Sequence, residues 1–217
     1  MKQSGNRWSV VLAGGEGERL RPFITRWLGS HRPKQYCTFL GERSMLEHTL
    51  ERAAQWSGCD RVLTVIGRGH WTYIDEPRRM RLCGRIIEQP AARDTGPGVF
   101  LPLSYVFAQD PEATVAVFPS DHFIAPNDKF ADILDEAGAL TECLGDKIAL
   151  LAVVPDRPEP EYGWIEPGAR LPHINRQART VKAFFEKPES GVDEFFRAGF
   201  LWNTMIMIFK AKTLWSI

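Results

Sequence analysis

The chain lacks an excess of either charge. Its 27 Lys and Arg residues balance 27 Asp and Glu, so no basic field steers it onto nucleic acid or an acidic membrane surface. It also lacks an apolar run of bilayer length. The longest, residues 148–155 and 200–209, fall well short of the roughly 20 residues a spanning helix needs, and Asn203 and Thr204 interrupt the second. An earlier run, residues 8–13, is too short for a signal-peptide core and ends at once in glycines. Cysteine is scarce. Cys37, Cys59, Cys83 and Cys143 lie far apart with no C-x-x-C pair, which argues against a zinc ribbon, a redox motif or a disulfide scaffold. A reducing, cytoplasmic setting is the expectation, with neither nucleic acid nor membrane as partner. Repeats, linker-like tracts and low-complexity segments are absent too. What remains is an ordinary globular mixture, 44% hydrophobic and 25% charged over 217 residues, enough for one large domain. The basic residues are 19 Arg against 8 Lys, a bias toward the planar fork that suits phosphate and carboxylate, although most surface charges are simply solvated.

Apolar patterning alternates between strand and helix. Residues 8–13 read as a buried strand closed by Gly14 and Gly15, and residues 44–57 as an amphipathic helix with Ser44 and Glu47 forming a capping box. Strands are expected at 61–66, 84–88, 113–119 and 147–154, and helices at 98–108, with Pro102 as a kink, and 129–144. Such alternation implies a parallel sheet covered on both faces. Beyond Pro155, turn signals crowd together at 155–160 and 166–168, and shorter strands are expected at 180–186 and 199–209. The chain therefore divides into a half at 7–155 and a smaller lobe at 156–217 on the same sheet, within one domain over 1–217.

Four sets of residues could carry chemistry. The turn Gly14-Gly15-Glu16-Gly17-Glu18-Arg19 follows a buried strand. Glycines there let backbone N–H groups approach an anion, or simply make a tight turn. It is not a Walker loop, having no Gly-Lys-Ser/Thr, and Leu20 stands where the dinucleotide fingerprint has its third glycine. Lys34, fixed behind Pro33, offers a compact point charge for phosphate. Asp121 ends the strand expected at 113–119, where open α/β sheets bind ligands. One carboxylate beside phosphates is what Mg²⁺ requires, with His122 a neighbour rather than a ligand to so hard an ion. Finally, Tyr162-Gly163-Trp164, Glu186-Lys187-Pro188 and Trp202-Asn203 combine acceptors, amides and aromatics in a way that suits a polyhydroxylated sugar, though each tryptophan is also a natural core residue.

Taken in order, Leu12-Ala13-Gly14-Gly15-x-Gly17-x-Arg19-Leu20-x-Pro22, Pro33-Lys34-Gln35, Gln89-Pro90-x-x-Arg93-x-Thr95, Pro119-Ser120-Asp121-His122, Tyr162-Gly163, Glu186-Lys187-Pro188 and Leu201-Trp202-Asn203 resemble the sugar-1-phosphate nucleotidyltransferases, in particular the mannose-1-phosphate guanylyltransferases. The resemblance spans nearly the whole chain. It implies an α/β, Rossmann-like fold, with a mostly parallel central sheet, helices on both faces and a small sugar-binding lobe. It also implies Mg²⁺-dependent exchange between a nucleoside triphosphate, GTP for choice, and a sugar 1-phosphate such as mannose 1-phosphate, giving GDP-mannose and pyrophosphate. By the same resemblance Arg19, Lys34 and Asp121 are catalytic, with Asp121 on the metal. Ala13, Gly14, Gly15, Gly17, Glu88, Gln89, Arg93 and Ser120 bind the nucleotide. Tyr162, Gly163, Glu186, Lys187 and Asn203 bind the sugar phosphate. A homodimer is compatible with this reading.

The chain departs from the family pattern in three places. The stretch between Pro22 and Pro33 is long and carries Trp27, so the cover over the triphosphate is expected to differ. Gln89 and Asp94 stand where guanylyltransferases usually have Glu and Asn. Glutamine offers one acceptor where a carboxylate could take both guanine N1–H and the 2-amino group, and thymidylyl- or uridylyltransfer to glucose 1-phosphate is the competing assignment, unless Glu88 substitutes. No residue before Ile217 matches the family's second metal-binding aspartate, so the sugar-binding half is expected to be truncated. A non-catalytic nucleotide-sugar-binding module is the rival from another class, and a nicotinamide-dependent dehydrogenase rests on the glycine turn alone.

Overall fold

A computed structural model describes residues 6–80, 82–91, 95–171 and 177–217. In chain order the elements are β1 (Arg7–Ala13), α1 (Arg21–Leu28), α2 (Met45–Ser57), β2 (Val62–Ile66), α3 (Glu76–Arg79), β3 (Arg85–Glu88), α4 (Thr95–Gln109), β4 (Thr114–Pro119), α5 (Asn127–Leu144), β5 (Ala149–Val153), β6 (Trp164–Arg170), β7 (Arg179–Phe185), α6 (Val192–Arg197), β8 (Leu201–Lys210) and α7 (Ala211–Trp215). The eight strands form one sheet in the order β3-β2-β1-β4-β8-β6-β7, with β5 along the other edge of β8.

β1 shows how the sequence builds the two layers. Successive side chains of a strand point to opposite faces. Val11 and Ala13 enter one cluster with Leu46, Leu50, Ala53 and Trp56 of α2 and Leu134 and Ala137 of α5. Trp8 and Val10 enter the other with Val99, Leu103 and Val106 of α4 and Ala211 of α7. Helices therefore cover both faces, and β1, β2 and β4 are buried on both sides, as parallel central strands are. The expected capping box is present: Glu47 N–H donates to Ser44 Oγ, and Ser44 N–H donates to Glu47 Oε2 at 2.7 Å.

The expected parallel core with helices on both faces is present, over β3-β2-β1-β4; the direction of the 147–154 strand and the place of one turn signal are corrected. β8 runs antiparallel to β4, β5 and β6, and β6 antiparallel to β7. The apolar segment 147–154 is accordingly an edge strand on β8, and an apolar run carries no information about the direction of its neighbour. The Glu166-Pro167-Gly168 turn signal lies inside β6, whose pairing with β7 shifts register on both sides of Pro167. Proline is tolerated there because the ladder is already broken. The cysteine spacing also gave no hint that Cys59 and Cys83, 5.1 Å apart at Cα, form a disulfide between the segments leading into β2 and β3. Among the described residues no helix is long and apolar enough to cross a membrane.

Candidate phosphate and sugar site

The turn after β1 is held from beneath by buried side chains. Gln35 Nε2 donates to the carbonyls of Ala13 at 2.9 Å and Gly15 at 2.7 Å. Tyr36 Oη donates to Ala13 O at 3.1 Å and lies 3.1 Å from His70 Nδ1. Gly67 N–H, which can only donate, points at the same Nδ1. The proton is thus assigned to His70 Nε2, which donates to Glu16 Oε1 at 3.1 Å. Desolvation drives the Tyr36 phenol far above its ordinary range, so it remains a donor at every relevant pH. These bonds fix the Ala13 and Gly15 carbonyls of the turn.

Two glycines are demanded by close neighbours. A Cβ on Gly14 would meet Gln89 Nε2 at 2.3 Å, so the Gln89 amide lies directly on the turn. Gly17 has φ +66°, and a Cβ there would lie 3.1 Å from Lys34 N. The short 3-10 turn Lys34–Tyr36 is thereby packed against the glycine turn.

β4 delivers the acid. Ser120 donates through both N–H and Oγ to Leu12 O, at 3.2 and 2.6 Å. This ties the end of β4 to the end of β1 and sets Asp121 beside the turn. The Asp121 carboxylate pairs with the Lys34 ammonium, with the two side chains 25% and 29% exposed. His122 Nε2 stands 3.9 Å from the other carboxylate oxygen. Burial lowers the His122 pKa, opposed by Asp121 and reinforced by Lys34 and Arg52, so the ring is neutral. Behind it Arg52 Nη2 donates to His122 O at 3.1 Å. Arg19 reaches away from the turn to Glu161, 3.5 Å off, with both side chains largely exposed.

A second group forms where β6 meets β8. Asn203 N–H donates to Gly163 O at 2.8 Å. A Cβ on Gly163 would lie 3.0 Å from Glu186 Oε2 and 3.3 Å from Asn203 Cβ, so these three residues converge. Lys187 Nζ is 3.6 Å from Glu186 Oε1. Tyr162 meets Trp202 edge to face, and Arg157 lies over the Trp202 ring. Trp164 is fully buried, its Nε1 donating to Glu159 O, and belongs to the core.

The structure thus gathers Ala13, Gly14, Gly15, Gly17, Lys34, Gln89, Ser120 and Asp121 around one turn, and Tyr162, Gly163, Glu186, Lys187 and Asn203 in the lobe, with Arg19 and Glu161 bridging the two. Glu88 is turned to Gly69, whose N–H it accepts at 3.0 Å, one loop away from the turn. Arg93 lies outside the described residues. Sequence reading passed over Gln35, Tyr36, His70 and Glu161. Gln35 stood within a quoted motif, but nothing in its spacing showed that it points back at the turn.

As a cation site, Asp121 supplies one hard, partly exposed oxygen donor already facing a positive charge, the Lys34 ammonium. Among the described residues no group of three or more His, Cys, Asp or Glu gathers to hold a metal. This donor set fits an ion that takes one or two carboxylates and completes its shell with phosphate and water oxygens, and it does not fit zinc.

The model of the family described as Nucleotidyl transferase matches residues 8–216. Mannose-1-phosphate guanylyltransferase 2 of Escherichia coli O157:H7 is 31% identical over 214 residues, covering 94% of this chain and 43% of its own. The alginate biosynthesis protein AlgA of Pseudomonas fluorescens is 32% identical over 212 residues, covering 94% and 41%. The chain spans about two fifths of the length of these curated relatives. Among solved structures, that of a protein titled mannose-1-phosphate geranyltransferase from Thermus thermophilus superposes with a TM-score of 0.81 at 28% identity, over 97% of this chain and 59% of that one.

Proposed function

Because the chain belongs to the nucleotidyl transferase family, we propose that it transfers a nucleotidyl group from a nucleoside triphosphate to a sugar 1-phosphate. GTP and mannose 1-phosphate are the pair we favour, with GDP-mannose and pyrophosphate as products. The observation that carries this reading is the Lys34–Asp121 ion pair set against the glycine turn. A cation, an anion and a glycine turn meet at one point, which suits a polyphosphate with its counterion.

A sugar phosphate oxygen, ionised at neutral pH, attacks the α-phosphorus. The bond from that phosphorus to the bridging oxygen breaks, and the electron pair leaves with pyrophosphate. No side chain has to remove a proton, so the protein's share is positioning and charge stabilisation. The turn amides and Arg19 hold the departing pyrophosphate. Lys34 moves from Asp121 onto the triphosphate, and Asp121 is then free to hold Mg²⁺, which supplies neutralisation of the phosphate charge when bound. Glu186, Asn203 and the Gly163 backbone read sugar hydroxyls, and Lys187 takes the sugar phosphate. The guanine and mannose assignments lean on the names of the relatives. A thymine or uracil base is the second reading, favoured by one observation: the side chain against the turn at Gly14 is the amide of Gln89.

Pyrophosphate release measured across GTP, dTTP and UTP, each with mannose 1-phosphate and glucose 1-phosphate, tests the proposal. Release confined to GTP with mannose 1-phosphate is expected. Equal release with dTTP or UTP and glucose 1-phosphate rejects the guanine assignment. Nucleotide binding without pyrophosphate in any combination rejects catalysis in favour of a binding module.

A further inference from the structure

Among the described residues, three other than glycine have a positive φ: Asn6, Lys187 at +42° and Met205 at +60°. Such a backbone is uncommon for a residue with a Cβ, and it concentrates at functional sites. Lys187 and Met205 both fall in the second group of polar residues, the one next to Glu186 and the other two residues beyond Asn203. Met205 is the centre of a bulge. β8 pairs Asn203 with Ala152 and Met207 with Leu150, so Thr204, Met205 and Ile206 face Leu151 alone. Thr204 Oγ1 holds this bulge together, donating to Leu151 O at 2.6 Å and accepting from Ile206 N–H at 3.3 Å. The Met205 N–H donates to Asn203 Oδ1 at 3.1 Å. Asn203 is also tied through its own N–H to Gly163 O, so its backbone and its side chain are both fixed.

We propose that Met205 is a positioning residue for sugar binding: its left-handed backbone sets an N–H on Asn203 Oδ1 and so keeps Asn203 Nδ2 as the donor offered to the sugar. The inference rests on the reading of this group as the sugar site, and deepens it. A backbone N–H can only donate, so the amide oxygen is the atom it holds and the nitrogen is the atom left over. Among the described residues nothing accepts from Nδ2, and it is not buried away from solvent. Glu186 Oε2, which converges with Asn203 on Gly163, is an acceptor. The two together offer one donor and one acceptor, and a sugar hydroxyl answers either. Bulges beside binding sites re-aim side chains in this way. Were residue 205 extended, its N–H would leave Oδ1, and the Asn203 amide could turn over and lose its set polarity. The role belongs to the backbone of Met205, not to its side chain.

Calorimetric titration of the whole chain with GDP-mannose, and with GTP as the sugar-free control, tests it without requiring turnover. Met205→Val should weaken GDP-mannose binding about tenfold, the worth of one hydrogen bond, and leave GTP binding unchanged, because a β-branched residue resists a positive φ. Met205→Gly loses the side chain and keeps the backbone, and should bind both ligands as the parent does. In an Asn203→Ala background the difference between Val and Gly at position 205 should vanish, since Met205 acts through Asn203. A merely structural role would carry the same loss into both backgrounds. Should Met205→Val melt abnormally, Thr204→Val, which loosens the bulge from its other side, takes its place in the same cycle. Equal GDP-mannose affinity in the Val and Gly variants, or a loss that persists without Asn203, overturns the proposal. A parental chain that does not bind GDP-mannose overturns the reading of the sugar site, and the proposal with it, and the parental titration alone tells the two failures apart.

Discussion

Replacing Asp121 with Asn separates what the Lys34–Asp121 pair does for stability from what it does for chemistry. Both side chains are about a quarter exposed. Exposed pairs are worth about 0.2–1 kcal/mol, and breaking a buried pair costs about 3–5. A pair of intermediate burial, in which Lys34 keeps access to water once its partner is neutral, should cost about 1–2 kcal/mol. For a chain of this size that lowers the melting temperature by about 2–8 °C. Pyrophosphate release should fall much further, about 10²–10³-fold, the scale for removing one preorganised electrostatic group from a reacting centre. Lys34→Met completes a cycle. If both residues serve one triphosphate, the double variant should be scarcely slower than the worse single one, since groups acting together do not add. Thermal melts and steady-state pyrophosphate release on the four proteins are sufficient. An Asp121→Asn protein turning over at the parental rate would refute the reasoning outright. A melt collapsing by far more than 8 °C would show that the pair is architectural.

Gln35→Ala removes the side-chain donor to Gly15 O and one of two donors to Ala13 O, which keeps Tyr36 Oη. It should cost about 1–3 kcal/mol in urea unfolding and raise KM for the triphosphate more than it lowers kcat. His122 has a folded pKa below its ordinary 6.5 through burial. The unfolded chain therefore takes the proton first. Stability is complete above about pH 6.5 and declines as pH falls below it toward the folded value, and His122→Asn should flatten that part of the stability–pH curve. Trp164→Ala empties a fully buried site and removes the bond to Glu159 O. It should cost about 3–5 kcal/mol by denaturant titration.

How far the sequence could be read depended on whether a signal was local. The β1 run, the Ser44–Glu47 capping box and the acid closing β4 each declare themselves within a few neighbours, and the structure has them in place. α1 was missed because it has no polar cap at Leu20 and carries Phe23 and Trp27 exposed, so only Ile24 is buried. The directions of β5 to β8 were not legible because strand direction is a long-range property, and Pro167 inside β6 read as a turn. Of the site residues, the glycines, Lys34 and Asp121 could be picked out by type and position. Gln35, Tyr36 and His70 could not, since their contacts with the turn span 20 to 57 residues of sequence.

β8 pairs with β4 through Thr114↔Lys210 to Val117↔Met207 and with β6 through Trp164↔Trp202 and Ile165↔Leu201. A single ten-residue ribbon thus carries Asn203 near one end and the core residues Ile208 and Phe209 near the other. That ribbon spans the gap between the two groups of polar residues, with one irregularity at Met205, φ +60°, where its pairing with β5 shifts register. Evolution can retune either end by changing side chains, but altering the separation itself would mean sliding the ribbon in steps of two residues, since a step of one would turn its inward face to water.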